Sequence, residues 1–195
     1  MAGRPRQFDE DLALESAMQA FWAKGYEATS LADLMAATGL HKGSLYQAFG
    51  DKHSLFVRAL NRYLEEMRSR AREMLRGAST PREGISNAVH DLLEMADADG
   101  HCPRGCLAVN ALVELAPHDE SVREIMVAHL DYLRTAMAEA ILAGQEAGQI
   151  DDRLPSEILT GMLMTFLAGL GTNLKGGLDK KVAHQLLDAQ IAAIF

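Results

Sequence analysis

The chain has 195 residues, of which 24% are charged and 48% hydrophobic, so it has the composition of a globular protein rather than of a disordered one. Its two cysteines, Cys102 and Cys106, cannot build a disulfide framework, and the expected compartment is a reducing cytoplasm. Residues 1–80 hold 11 Lys and Arg against 10 Asp and Glu, whereas residues 81–195 hold 8 against 17. A polyanionic partner is therefore disfavoured for the C-terminal part and permitted for the N-terminal part.

Helix-forming residues are plentiful and apolar residues recur at helical spacing, so the sequence predicts an all-α protein of about nine helices. Ser30 and Asp33 fit a capping box at the start of the second helix, and Gly39 ends that helix. The segment 77–81 is the clearest joint in the chain. The predicted helices span approximately residues 9–24, 31–38, 42–49, 52–76, 81–97, 105–116, 119–147, 156–175 and 179–194.

No membrane partner is expected. The basic Arg4 and Arg6 precede an acidic, amphipathic stretch rather than the apolar region of a signal peptide. The longest uncharged stretch, Ile158–Leu174, includes glycine, threonine and asparagine and falls short of a bilayer span. We therefore expect it to form a buried helix.

Residues 30–49 have the layout of a helix-turn-helix, in which the first helix braces the second against the DNA major groove. Leu40, Leu45 and Phe49 are expected to face inward. No acidic residue occurs between Gly39 and Gly50, as a surface that faces phosphates requires. The outer face, with a glycine that allows close approach of the backbone to the duplex, offers His41, Lys42, Gly43, Ser44, Tyr46 and Gln47.

These residues resemble the DNA-binding domain of tetracycline-repressor-like (TetR family) regulators. The similarity lies in Thr29–Leu34 (TSLADL) and Thr38–Lys52 (TGLHKGSLYQAFGDK), and it extends over about residues 4–66. It implies an all-helical homodimer with an N-terminal three-helix DNA-binding domain over 4–66 and a C-terminal effector-binding and dimerisation domain over 67–195. Most such proteins repress transcription from a pseudo-palindromic operator and are released by a small molecule, although an activator remains an alternative.

The resemblance also implies contacts for individual residues. Lys42, Ser44 and Gln47 should lie in the major groove, and Tyr46 should give its hydroxyl to a phosphate. Thr29 or Ser30 should touch a phosphate at the start of the second helix, where free N–H groups favour an anion. His41 stands where a small residue is common. Further contacts are expected from Lys52, at the start of the fourth helix, and from Arg4 and Arg6 as an arm in a minor groove.

The stretch from His101 to Cys106 in the C-terminal part allows three interpretations. Cys106 stands at a predicted helix start next to Arg104, a position that favours a reactive thiolate and would suit a thiol or electrophile sensor. His101, Cys102 and Cys106 could also join His90 or His129 around a metal, but the spacing is no standard zinc signature. The third interpretation, which we favour, is a cysteine that packs as a small hydrophobic residue. No metal or other cofactor is expected.

The effector pocket is expected, by the resemblance, among the helices after Pro81. Candidate lining residues are Met95, Cys106, Asn110, Glu114, Met126, His129, Tyr132 and Phe166.

Dimerisation is expected through the last two helices. Gly161, Thr165, Ala168 and Thr172 form a stripe of small residues among apolar ones on the first of them, and small residues permit close approach of helices. Burial of both helices within one subunit is the alternative.

The function predicted is a cytoplasmic, dimeric, ligand-responsive repressor that binds double-stranded operator DNA. An enzyme is disfavoured because no catalytic signature is present. A helical interaction protein would not need the acid-free surface over 40–49.

Overall fold

The structure, a computed structural model, describes residues 8–96 and 104–195. The predictions made for Arg4, Arg6, His101 and Cys102 lie outside these residues. Within them every regular element is α-helical, which confirms the predicted fold class. The helices are α1 (Glu10–Lys24), α2 (Leu31–Thr38), α3 (Lys42–Phe49), α4 (Lys52–Gly77), α5 (Pro81–Met95), α6 (Leu107–Glu114), α7 (Glu120–Glu146), α8 (Ser156–Lys175) and α9 (Lys180–Ile194).

The helix starts follow from side-chain caps. Ser30 and Asp33 make the predicted capping box on α2, and Asp119 caps α7 by accepting from the Val122 N–H group at 3.1 Å. The α6 helix begins two residues later than predicted because Gly105 is left-handed, with φ at +65°. A side chain at Gly105 would also meet a backbone carbonyl of α8 at 3.0 Å, so this position requires glycine.

The chain forms two compact units, one ending at Tyr63 and the other running from Leu64 to Phe195. Aromatic side chains hold the N-terminal unit together. Phe21 of α1 packs edge-to-face on Phe56 of α4 with 5.1 Å between ring centroids, and Trp22 packs on Tyr63 at 5.0 Å. Leu34 of α2 is fully buried. The α2 helix packs mainly on α1, and the following turn leads from α2 to α3.

The C-terminal unit has its core between α5, α7, α8 and α9. Leu163 of α8, Ile141 of α7 and Leu187 of α9 are all fully buried. The remaining members of this core are mainly aliphatic side chains, among them Ile85, Val89, Met137, Leu159, Leu170, Leu174 and Ala183.

The α8 helix differs from the prediction in two ways. Among the described residues it is the one helix long and apolar enough to cross a membrane by length and composition, so the statement that it falls short of a span was wrong. Only 33% of its apolar window is buried, so it is not enclosed on all sides either. Its leucines lie in the core of the C-terminal unit, whereas Ile158 and Met162 on the other side are 53% and 43% exposed.

Candidate nucleic-acid interface

A tight turn joins α2 to α3. Gly39 ends α2 in the left-handed conformation, with φ at +68°, and its N–H group donates to the Met35 carbonyl at 3.0 Å. The Thr38 hydroxyl accepts from the Leu40 N–H group at 3.3 Å and donates to the Leu34 carbonyl at 2.7 Å. Three residues therefore separate the two helices, as a helix-turn-helix requires.

The α3 helix has one buried and one exposed face. Leu45 and Phe49 are buried as predicted, while Leu40 before the helix is half-buried. The opposite face contains no acidic residue, and its Tyr46 side chain is 39% exposed. Ser44 is half-buried, and the exposed residues are His41, Lys42, Gly43, Tyr46 and Gln47.

The exposed face of α3 carries positive charge and open backbone donors. The Lys42 ammonium lies 5.6 Å from the centre of the Tyr46 ring, one turn further along the helix. His41 is the N-cap residue, but its side chain makes no capping hydrogen bond. Because the first N–H groups of a helix have no partner within it, the N-terminal end of α3 favours an anion.

The N-terminal end of α2, by contrast, already holds a carboxylate. The Asp33 carboxylate accepts from the Ser30 N–H group and hydroxyl at 2.9 and 2.6 Å, and it lies 2.5 Å from the Lys24 ammonium. The Lys24 and Ser30 hydrogen bonds hold the pKa of Asp33 well below its usual range. The anion at this helix end therefore belongs to the protein itself.

The prediction that Thr29 contacts a phosphate was wrong. Its side chain is fully buried, and its hydroxyl donates to the Gly25 carbonyl at 2.6 Å. Its N–H group donates to the Tyr26 carbonyl at 3.2 Å. Thr29 therefore links the end of α1 to the start of α2, and Ser30 is the exposed one of the two predicted candidates.

Arg58 of α4 fixes the position of α3, although no sequence pattern singled it out. One guanidinium nitrogen donates to the Ala48 carbonyl at 3.1 Å and another to the Glu10 carboxylate at 3.2 Å. The guanidinium carbon lies 4.8 Å from the centre of the Phe49 ring. A cation at the C-terminal end of a helix is favourable, and this one ties α3 to both α1 and α4.

Lys52 lies in the first turn of α4, as predicted, but its side chain is engaged within the N-terminal unit. The ammonium lies 4.5 Å from the centre of the Tyr26 ring and donates to the Glu27 carbonyl at 3.4 Å. Lys52 is half-buried, in contrast to the exposed Lys42.

The C-terminal unit contains a cavity of about 290 Å³ lined by residues of α4 to α8 and by Cys106. Of the predicted pocket residues, Cys106, Met126 and His129 line it. His129 is 1% exposed, and burial together with the nearby Arg68 charge lowers its pKa to about 4. Most of the remaining wall is aliphatic or thioether, including Leu92, Val109, Leu112, Leu130, Leu133 and Met164.

Five predicted pocket residues do not line this cavity. The Asn110 amide nitrogen donates to the Arg104 carbonyl at 3.0 Å, and its oxygen accepts from Lys175 at 3.0 Å. The Tyr132 hydroxyl accepts from Arg72 at 3.1 Å, which directs that ring elsewhere. Met95 is buried outside the lining, Glu114 is half-buried on α6, and Phe166 packs against the core of the C-terminal unit.

Cys106 is the N-cap residue of α6 and is half-buried at the cavity wall. Over residues 8–96 and 104–195, no group of three or more His, Cys, Asp and Glu side chains is arranged to hold a metal ion.

An apolar surface lies along the outer sides of α8 and α9, which we call the α8/α9 face. On α8, Ile158 and Met162 are exposed beside the small residues Gly161 and Thr165. On α9, Val182 and Leu186 are 40% and 43% exposed, so both helices carry large apolar side chains at their surface.

Comparison with known proteins gives one consistent result. Residues 13–59 match the family model described as bacterial regulatory proteins, tetR family, and residues 81–189 match the tetracyclin repressor-like C-terminal domain. The chain is 29% identical to the HTH-type transcriptional repressor ComR of Escherichia coli, covering 94% of this chain and 88% of ComR. It is 30% identical to the uncharacterised HTH-type regulator YezE of Bacillus subtilis, covering 76% of each.

A solved structure is similar over the full length. A cysteine variant of the TetR family transcriptional regulator CifR, complexed with 26-bp double-strand operator DNA, is 34% identical to this chain. The match covers 99% of this chain and 100% of the CifR chain, with a TM-score of 0.86.

Proposed function

The chain belongs to the tetR family of bacterial regulatory proteins and is a DNA-binding transcriptional repressor, and we propose that it reads its operator with the exposed surface of α3. Residues 4–66 form the DNA-binding domain and residues 67–195 the effector-binding and dimerisation domain. The protein regulates transcription in the cytoplasm by binding, not by catalysis.

The acid-free exposed face of α3 is the observation that carries this assignment. Lys42, Ser44 and Gln47 enter the major groove, and the Tyr46 hydroxyl donates to a phosphate. Gly43 allows close approach of the backbone to the duplex. Arg58 fixes α3 through its contacts with Ala48 and Phe49 and does not contact the DNA. The polar contacts of this helix come from the first turn and the exposed side, because Leu45 and Phe49 are committed to the interior.

Three weaker contacts complete the proposed interface. Ser30 is exposed before α2, and His41 lies at the N-terminal end of α3, where backbone N–H groups favour phosphate. Lys52 contributes positive charge from its position over the Tyr26 ring. Arg4 and Arg6 act as an arm in a minor groove, as the resemblance implies.

The functional unit is a homodimer, and the α8/α9 face is its interface. Exposed apolar side chains on both helices, with glycine and threonine between them, suit the close packing of two helix pairs around a twofold axis. Two copies of α3 then occupy successive major grooves of a pseudo-palindromic operator.

A small molecule in the cavity of the C-terminal unit releases the repressor. It can do so only if it binds the DNA-incompetent state more tightly than the DNA-bound state. The α4 helix has residues in both units: Arg58 contacts α3, and Met67 lines the cavity. A ligand that favours another position of α4 therefore acts on the element that fixes α3.

A random-pool selection tests the function. Duplexes bound by the purified protein are sequenced, and their affinity for the protein is measured by fluorescence anisotropy at fixed salt. We expect Lys42→Ala to weaken binding about tenfold and Tyr46→Phe by severalfold, as for the loss of hydrogen bonds to charged groups. Arg123→Ala, which removes an exposed charge of α7, serves as the control and should stay within about twofold. If no duplex is bound at low salt, or if Lys42→Ala and Tyr46→Phe bind like the wild type, the proposal is wrong.

A second response, to thiol-reactive compounds, is favoured by one observation, the position of Cys106 at both the α6 N-terminus and the cavity wall. The Cys106 sulfur adds to an alkene carbon of an electrophile such as N-ethylmaleimide, and the thiol proton is transferred to the neighbouring carbon. Mass spectrometry of the adducts and operator release by wild type and Cys106→Ser test this response. Release that is unchanged in Cys106→Ser rejects it.

A further inference from the structure

The cavity wall contains one buried ionisable side chain among the described residues that form it. His129 is 1% exposed and lies between Met126 and Leu130, which also line the cavity. The other polar side chains of the wall are placed differently. The Arg134 side chain is 58% exposed and pairs with Asp131 at 3.4 Å, so its charge lies toward solvent.

One of the two ring nitrogens of His129 is left without a partner in the part of the chain that the structure describes. Its Nδ1 atom is buried and has no hydrogen-bond partner among the residues that the structure describes. Leaving a polar atom buried without a partner costs free energy, and most buried polar atoms in folded proteins are paired. A histidine kept in this state at the wall of an apolar cavity is therefore suited to a hydrogen bond from a bound molecule.

The charge state of His129 restricts that molecule. Burial and the Arg68 charge lower the pKa of His129 to about 4, so the ring is neutral at physiological pH. A neutral imidazole has one N–H donor and one acceptor nitrogen, and it pairs with a hydroxyl or a carbonyl. The neutral ring of His129 does not compensate the hydration that a carboxylate would lose on entering the cavity.

We propose that the cavity takes a small, uncharged, largely apolar molecule with a single hydroxyl or carbonyl group, such as a phenol, an alcohol or a ketone, and that the imidazole of His129 makes the hydrogen bond to that group. This inference rests on the proposed effector role of the cavity, and it adds the ligand class and the residue that selects it. The volume of about 290 Å³ is at the lower end of the range for small-molecule sites, in keeping with a ligand of this size.

Three probes that share a propylbenzene unit test the class: para-propylphenol, para-propylbenzoate and propylbenzene. Each is titrated into the intact protein without DNA, by calorimetry and by the rise in thermal unfolding temperature. We expect para-propylphenol to bind at least about tenfold more tightly than the other two, as for one net hydrogen bond in an apolar site. Equal or tighter binding of para-propylbenzoate, or no binding of para-propylphenol, would overturn the proposal.

The His129→Leu variant tests the residue. It should lose the preference for the phenol and keep the affinity for propylbenzene within about twofold, because the apolar wall is unchanged. Met126→Leu, on the same wall, should retain the preference. A preference that survives His129→Leu contradicts the assignment. Should that variant not fold, the shift of the His129 ring nitrogen resonances on adding para-propylphenol to the wild type decides the same point.

The outcome of this ligand-binding test can be distinguished from the outcome of the test of the proposed function, because operator binding is measured separately. A protein that prefers the phenol but ignores all duplexes contradicts the repressor function alone. Operator release by another compound, together with equal binding of the three probes, contradicts this inference alone.

Discussion

The two units of the molecule present opposite kinds of surface. The N-terminal unit presents a polar face on one short helix, α3, whose residues are consecutive in the sequence. The C-terminal unit presents apolar surfaces, a cavity formed by residues from several helices and the α8/α9 face. A surface carried by one helix is visible in the sequence as a pattern, whereas a cavity exists only after distant helices have packed.

The same contrast applies to charge. In the N-terminal unit, positive side chains such as Lys42 remain exposed, where they can approach a phosphate. In the C-terminal unit the one ionisable side chain buried in the described cavity wall is held neutral. The attraction between exposed charges and phosphate depends on the salt concentration, whereas the neutral state of His129 depends on its desolvation. Each unit can therefore be tested with a different perturbation.

The largest expected effect concerns the α8/α9 face. Met162→Glu places a charge on an apolar surface that the dimer buries, and we expect the dimer dissociation constant to rise by about 100-fold or more. Sedimentation equilibrium measures this change, and operator affinity should fall with it. Val113→Glu, at an apolar side chain of α6 that is 72% exposed, is the matched control and should leave the dimer intact. A Met162→Glu protein that remains dimeric would show that another surface pairs the subunits.

The next prediction uses the pH dependence of stability to distinguish the buried cavity wall from the exposed surface. The pKa of His129 is lowered from 6.5 to about 4 in the folded protein, so the unfolded chain takes up a proton that the folded chain excludes. Above about pH 6.5 the neutral ring contributes about 3 kcal/mol to the free energy of unfolding. This contribution is lost as the pH falls toward 4. His129→Leu should remove this loss.

Thermal unfolding between pH 4 and 8 measures the difference. His118→Gln, at an exposed histidine after α6, should keep the acid-induced loss of the wild type. If His129→Leu and the wild type lose stability in parallel over this range, His129 does not titrate as a buried neutral ring.

A smaller effect, with opposite signs for stability and for operator binding, concerns Gly43, the second residue of α3. An added methyl group would meet no atom within 4 Å, and alanine is favoured over glycine in a helix by about 1 kcal/mol. Gly43→Ala should therefore raise the thermal unfolding temperature slightly. It should also weaken operator binding, because the methyl group stands between the α3 backbone and the duplex. Anisotropy and calorimetry on the same sample test both signs.

The control for this prediction is Gly77→Ala, at the end of α4, where an added methyl group also has free space. It should leave operator affinity unchanged. If Gly43→Ala binds the operator as tightly as the wild type, the backbone of α3 does not approach the DNA closely.

The fold was predictable because its boundaries are local. The capping box of Ser30 and Asp33 and the left-handed Gly39 are set by residues within one turn of each other, and the structure contains both. The two faces of α3 were predictable for the same reason, since Leu45 and Phe49 fall four residues apart on an amphipathic helix.

What the sequence did not reveal depends on distant contacts. Thr29 resembles an exposed polar residue before a helix, but its hydroxyl donates a hydrogen bond to the Gly25 carbonyl at the end of α1. Arg58 reaches Ala48 and Glu10, residues that share no local pattern with it. Tyr132 was expected in the pocket by the family resemblance, yet it does not line the cavity, and its hydroxyl accepts a hydrogen bond from Arg72. Tertiary packing decides each of these cases.

The smallest expected effect concerns a polar array in which α5 meets α9. The Nδ1 atoms of His90 and His184 are 3.0 Å apart, the ring planes differ by 5°, and the ring centroids are 5.3 Å apart. The distance between the centroids equals the distance between the Nδ1 atoms plus the radii of the two rings, so both Nδ1 atoms lie on the line that joins the centroids. The rings therefore lie edge to edge in one plane and share a hydrogen bond. His90 Nε2 lies 3.0 Å from the Asp188 carboxylate. His184 Nε2 lies 2.8 Å from the Glu94 carboxylate, although not at a hydrogen-bonding angle.

A double-mutant cycle of His90→Phe and His184→Phe measures this contact. We expect a coupling energy of about 1 kcal/mol in the free energy of unfolding, as for one partly buried hydrogen bond. The exposed pair of Glu120 and Arg123 on α7 is the comparison, and charge pairs of that kind contribute about 0.5 kcal/mol or less. Coupling in the histidine pair no larger than in the surface pair would mean that the two rings do not share a proton in solution. Larger coupling would show that α9, which also carries part of the α8/α9 face, is fixed to α5 by a specific polar contact as well as by its apolar side.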